Sequence, residues 1–593
     1  MSKRKLEIAI HLLNAIAISA FLVIYLNHYY PNVGHDYSYF IPRLLDTHLH
    51  YKINGLSIQW YTPSFGGGLP AYPNPQHIQF SLPQFLIPLL NPWNASVAAT
   101  VIFALSGYFA MYYFLTRVLL LRWQTGVLGG LFFSVNGFFF QHVSVGHLGF
   151  QTFPLLAVIM VALFAASLPE IISAIIIALV VGTMVHEAGF YIIVISLLAL
   201  LITLPVAYLH YPQIFKFKRL MRIAISGFIF SILLSASKLF AVYSWMRFFP
   251  RTMYDQYDVS LLRGIVGLIY QLLGTMNLVP LRWLLGKDIN LVPLSLQSWT
   301  GSFYGFWETD VSLSPVLIAL LGLGAISHFM PRKKGENVPG KGRWSAIILL
   351  LLATWTTAEF TLARGSIYSL LKNLPALSSL HVNFRFAAAF IFPLALLGAI
   401  SFERFASKWA WKKTFIIFLT LNVLVLAFQG TYFLFKEDVQ DRAYTVSTAL
   451  ETFHRIRAGD TFPVNKIADV SEVFWSNASS LIPYEVVFGY ELEAFKPQVQ
   501  PGPVNVIQDG YFNMTNPAGY VFPEENQTTA FERIPAADAD KLEAFTHRRQ
   551  PDWKRPPIQH ILDATALVSL IIFSSLLGGL LIRGMIRKFA IRC

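Results

Sequence analysis

The feature that most constrains this chain is a series of apolar stretches, each about 20 residues long and so able to cross a bilayer as a helix. Twelve such stretches start near Leu6, Ala95, Gln124, Phe150, Pro169, Phe190, Met221, Ser312, Trp344, Arg385, Thr414 and Gln559. Hydrophobic residues make up 55% of the chain and charged residues 13%, about half the charge of an ordinary soluble domain. A soluble enzyme, a disordered chain and a fibrous protein are all excluded. The expected fold class is a polytopic α-helical membrane protein with about 12 transmembrane helices. The first stretch follows Lys3, Arg4 and Lys5 and is longer than a signal-peptide core, so it is read as an uncleaved helix.

The net charge of +13 reports topology. Arg117 and Arg122, then Lys216, Lys218, Arg219 and Arg222, fall in alternate connectors. So do Arg332 to Lys334, Lys341 and Arg343, and then Arg404, Lys408, Lys412 and Lys413. The tail adds Arg583, Arg587, Lys588 and Arg592. With twelve crossings every one of these clusters lies on the side of the N-terminus, which predicts both termini in the cytoplasm. Cations scattered between apolar stretches do not form a phosphate-binding face, so nucleic acid is not an expected partner. The single cysteine, Cys593, allows no internal disulfide.

Three domains are expected. Residues 1–435 form a transmembrane domain with long outer loops at 27–94, 245–311 and 361–384. Residues 436–557, with Val-rich runs and Pro, Asn and Gly turns, form a small outer α+β domain. Residues 558–593 form the last helix and a basic cytoplasmic tail. Residues 36–50 have helical composition and are expected to lie flat on the membrane, as are 261–273 and 366–374. The built-up outer face is where function is expected.

Polar groups near the outer membrane surface are the candidates for chemistry. Asp36 follows the first helix closely, where it is placed either to meet a lipid-borne phosphate or an acceptor hydroxyl, or simply to cap the next helix. Arg385 begins an apolar stretch, where an unpaired charge is costly. Arg43, Arg251 and Arg364 are further outer cations, either phosphate ligands or interfacial residues that snorkel. His35, His147, Glu187 and Glu308 are candidates for substrate or for a divalent cation, with His142 and Asp310 read as helix caps.

Several short motifs add a resemblance. Gly34-His35-Asp36, Tyr39-Phe40-Ile41-Pro42, Gly66-Gly67-Gly68-Leu69-Pro70, Gln79 and the Pro-rich 82–88 open the series. Val145-Gly146-His147, Tyr304-Gly305 followed by Pro315, Leu374-Pro375 and Phe384-Arg385-Phe386 continue it. In this order they resemble the bacterial YfhO family of multipass proteins, which are similar to GT-C glycosyltransferases. The resemblance implies a GT-C-like fold in the bacterial cytoplasmic membrane, with its active site facing outward. It implies a polyprenyl-phosphate sugar donor, with Asp36 matching the acidic residue of the first outer loop. Many GT-C enzymes carry two adjacent acids there, whereas this chain has His35-Asp36. The expected acceptor is a cell-surface glycan or lipid. Two other functions remain open from the sequence: a lipid or polysaccharide transporter, and a non-catalytic envelope assembly protein.

Overall fold

The computed structural model describes residues 3–249, 260–278, 305–328, 340–470, 474–481, 483–485 and 498–590. Arg251, most of the 245–311 loop and the basic residues Arg332 to Lys334 lie outside the described residues.

Eight described helices are long and apolar enough to cross a membrane: Lys3–Leu26, Pro92–Val118, Phe190–His210, Phe217–Met246, Gly342–Leu362, Asn383–Ala406, Trp411–Leu434 and Pro557–Leu580. The other four expected crossings also begin helices, but shorter ones. The stretch from Gln124 stops at Ser134, because Asn136 turns extended and accepts a hydrogen bond from Phe139 N–H, starting a separate helix at Gly137–Val145. Leu148–Leu155 is a 3₁₀ segment with Pro154 inside it, so its apolar run is only partly α-helical. Glu170–His186 and Pro315–His328 have 17 and 14 residues. In the membrane interior the helices are joined by polar as well as apolar contacts: Asn14 and Asn422 exchange two hydrogen bonds of 3.0 Å.

Residues 27–94 and 436–557 fold as one layer over the ends of these helices. Asn32–Val33 pairs with Tyr444–Thr445, and Phe65 bridges Ser480. Thr515 N–H donates to Gly67 O at 2.9 Å. Gly67 has φ +69°, and a Cβ there would lie 2.8 Å from Val499 Cγ2, so the Gly66-Gly67-Gly68 run is where two chain segments touch. Two buried ion pairs cross the same seam, Arg43–Glu485 at 2.8 Å and Arg548–Asp46 at 2.7 Å. Residues 436–557 themselves contain short three-stranded sheets and the helices Ser447–Ala458 and Ala539–Thr546.

The helix Tyr37–Asn54 differs from the expectation of one lying flat on the membrane. Residues 37 and 39–50 are all buried, because the 436–557 segment covers the side that would have faced water. The layer is tied down to the membrane helices by Lys238. Its Nζ, fully buried, donates to the carbonyls of Tyr72, Asn74 and His77 at 2.6, 2.7 and 3.2 Å. Reporter fusions at Gly340 and Gly502 should locate to opposite sides of the membrane if the twelve-crossing topology holds; fusions on the same side would overturn it.

Candidate functional site

One backbone crossing positions the site. Asp36 N–H donates to Val145 O at 3.0 Å, which brings the Gly34-His35-Asp36 turn against the Val145-Gly146-His147 turn. Gly34 and Gly146 are the residues that permit it. A Cβ on Gly34 would lie 2.4 Å from Ser144 O, and one on Gly146, at φ +105°, would lie 2.4 Å from Tyr37 N. Gly146→Ala should therefore cost about 1–3 kcal/mol for the backbone conformation and more for the overlap. Gly55, at φ +69° with open space around it, is the control: Gly55→Ala should lower the melting temperature far less than Gly146→Ala.

Around that crossing the side chains form a continuous chain. Asp36 Oδ2 lies 2.5 Å from His147 Nε2, and Oδ1 lies 3.1 Å from His35 Nε2. Tyr484 O–H donates to Oδ1 at 2.7 Å. On its other side, the His35 ring meets Asp441, whose carboxylate also accepts the His35 N–H at 2.7 Å. His147 Nε2 is 3.9 Å from Glu308 Oε1. Arg385 grips Glu308 with two nitrogens, Nε at 2.7 Å and Nη2 closer still. The guanidinium is stacked between Phe150 and Tyr191, 4.8 Å from each ring centre.

Asp36 occupies the residue before the Tyr37–Asn54 helix, yet its side chain makes no capping bond. It is 4% exposed and buried among its partners, so the cap reading fails. Burial alone would raise its carboxyl, but His147 and His35 hold it well below the usual carboxylate range. Burial would likewise lower His35, but Asp36 and Asp441 raise it to about 10. Glu308, raised by burial, is held well below its ordinary value chiefly by Arg385. The result is a carboxylate held ionised between imidazoles at the edge of a largely apolar helical bundle.

The structure thus joins the adjacent His35 and Asp36 to His147, Glu308 and Arg385, which the sequence places far from them and from one another. His142, expected to be a cap, joins them: its Nε2 is 3.4 Å from Glu308 Oε2. The other predicted residues sit elsewhere. Arg43 is not an open phosphate ligand; it is buried, held by Glu485 and stacked 3.6 Å from the Tyr39 ring centre. Glu187 accepts Leu82 N–H at 2.6 Å and Gln151 Nε2–H at 2.7 Å, tying a helix end to the first loop. Burial pushes its carboxyl up to about 8. Arg364 is half-buried, and its N–H donates to Glu359 O. No hydrogen bond or ion pair joins it to the cluster among the described residues. Tyr484 and Asp441 were missed, because nothing in the sequence links a position near 450 to one near 36.

His142, His147 and Glu308 also place one metal-binding atom each within 4.8 Å of one another. His142 Nδ1 lies 2.8 Å from Phe138 O, and as donor there it leaves Nε2 with the free lone pair. His142 Nε2 and His147 Nδ1 are buried with no hydrogen-bond partner among the described residues. This donor set suits a divalent cation, which would share Glu308 with Arg385.

No protein-family model matches the chain, so the YfhO resemblance rests on the motifs alone. No characterised protein matches its sequence. Among solved structures, the arabinofuranosyltransferase AftD from Mycobacteria is similar over 79% of this chain and 30% of that one, at 13% identity and a TM-score of 0.42. A mutant of AftD is similar over 72% and 28%, at 12% identity and a TM-score of 0.38. The chain therefore spans less than a third of the length of these proteins.

Proposed function

We propose that this protein is a GT-C-like membrane glycosyltransferase that takes a sugar from a polyprenyl phosphate and passes it to a glycan or lipid acceptor outside the cytoplasmic membrane. The observation that carries this reading is the buried, ionised Asp36 held between His35 and His147 beside the Glu308–Arg385 pair. Such a carboxylate, where apolar helices meet the polar layer above them, has the chemistry of a general base.

In the reaction, Asp36 accepts the proton of the acceptor hydroxyl. That oxygen attacks the anomeric carbon of the donor sugar. The bond from that carbon to the phosphate oxygen breaks, and its electron pair leaves with the polyprenyl phosphate. The leaving group needs no strong acid, which suits a site without a protonated carboxylic acid beside Asp36. Developing negative charge needs a preorganised positive field. His35, raised to about 10 by Asp36 and Asp441, supplies part of it, and Arg385, though paired, keeps N–H groups that Glu308 does not use. A divalent cation on His142, His147 and Glu308 would add Lewis-acid charge to the departing phosphate.

The testing experiment is transfer from a radiolabelled polyprenyl-phosphate sugar by the purified protein in detergent. Product that depends on Asp36 supports the proposal. Full transfer by Asp36→Asn overturns it.

A further inference from the structure

A second polar site lies on the same layer, away from Asp36. It is a cavity of about 160 Å³ between the first loop and the 436–557 segment, room for about five waters at about 30 Å³ each. Trp60, Tyr61 and Trp553 supply an aromatic wall, and Asp46, Gln59 and Arg548 a polar one. Two observations mark it as more than a packing gap.

The first is an orphaned group. The Tyr61 hydroxyl is buried with no hydrogen-bond partner among the described residues. A buried polar atom left unsatisfied is costly, and Tyr61 is one of the residues that line the cavity. The second is the balance of charge. Arg548 is neutralised by Asp46 at 2.7 Å and Arg555 by Asp563 at 2.9 Å. At the rim, exposed Arg549 is matched by exposed Asp552. Three cations against three carboxylates leave no net field to hold a phosphate. The Gln59 amide is taken up by Thr47 and Asp46, so what faces a ligand is the exposed Asp552 carboxylate, the exposed Arg549 and Gln550 side chains and the aromatic rings. This combination recognises a neutral ligand with many hydroxyls and an apolar C–H face, which is a sugar ring.

We infer that this cavity is a saccharide-binding subsite for a neutral glycan. Asp46 stands ten residues along the helix that begins directly after Asp36, which at 1.5 Å per residue separates the two by about 15 Å. The cavity would therefore hold part of the acceptor remote from its reacting end. The binding itself is independent of the transfer proposal; only its role as an acceptor subsite rests on that proposal.

The test is direct titration of the full-length protein in detergent, without donor, followed by tryptophan emission. The probes are maltotriose, chitotriose and mannotriose, with inorganic phosphate as the anionic control. The expected result is a saturable change with at least one trisaccharide and none with phosphate. Gln550→Ala and Asp552→Ala, both at the exposed rim, should weaken that binding about tenfold, the scale of losing one or two hydrogen bonds. Trp553→Ala should abolish it, but Trp553 packs on Phe545, so the rim variants carry the test if that protein does not fold. If the unmodified protein binds a trisaccharide but does not transfer sugar, only the transfer reading falls. No binding by any trisaccharide, binding of phosphate alone, or unchanged affinity in both rim variants overturns the subsite.

Discussion

Asp36→Asn should lower sugar transfer by about 10²–10⁴-fold, the usual contribution of a positioned general base. The amide keeps the shape of the carboxylate but can neither take the acceptor proton nor balance the two histidines. Folding should not be untouched, as a loop acid would imply. Asp36 is buried and meets His35, His147 and Tyr484, so the change should cost about 1–3 kcal/mol. The loss stays moderate because the His35 imidazole can shed its proton. A pH series separates the two effects. His35 is raised to about 10 in the folded protein by Asp36 and Asp441, against the pull of burial. Its contribution to stability is therefore fully present below its unfolded value of about 6.5 and is lost as pH rises through about 10. In Asp36→Asn one of the two carboxylates is gone, so that alkaline loss should begin at lower pH. Thermal unfolding of both proteins between neutral and alkaline pH measures it. Coincident profiles would mean that His35 does not sense Asp36.

The helices were legible because hydrocarbon forces long apolar runs, and runs show in sequence. Their interruptions were less so: the break at Asn136 depends on one capping bond inside an apolar region. The glycine motifs were visible as motifs but not as reasons. Gly34, Gly67 and Gly146 each mark a place where a distant segment presses on the backbone, and the segment cannot be named from the motif. The charges divide the same way. Asp36 stood out by its position after the first helix, and Arg385 by its place in an apolar run. That Arg43 faces Glu485 and that Arg385 faces Glu308 depends on contacts across 442 and 77 residues, which no local pattern encodes. The layer formed by residues 27–94 and 436–557 is hidden for that reason too, since each half reads as an independent loop or domain until the two are paired.

Arg385→Ala should be the most damaging single change to the fold. As an isolated cation at the start of an apolar stretch, Arg385 would be expected mainly to bind donor phosphate, so that its loss weakens binding and slows transfer together. Its pairing alters that expectation. The guanidinium and Glu308 are both largely buried, with side chains 12% and 4% exposed. Removing one partner strands the other, which typically costs 3–5 kcal/mol. Arg385→Ala should therefore give little folded protein, visible as loss of the monodisperse species in detergent. Arg385→Lys should recover part of the fold but not the two-point grip, because an ammonium has no fixed fork for both Glu308 oxygens. Removing the stranded charge as well, in Glu308→Gln with Arg385→Met, should recover more stability than either single variant retains. The two losses should thus be strongly non-additive. That double variant separates structure from chemistry. If it folds and does not transfer, the pair acts in the reaction beyond holding the site together. If it folds and transfers at the normal rate, Glu308 and Arg385 are only a buried strut, and the positive field at the departing phosphate must come from elsewhere in the site.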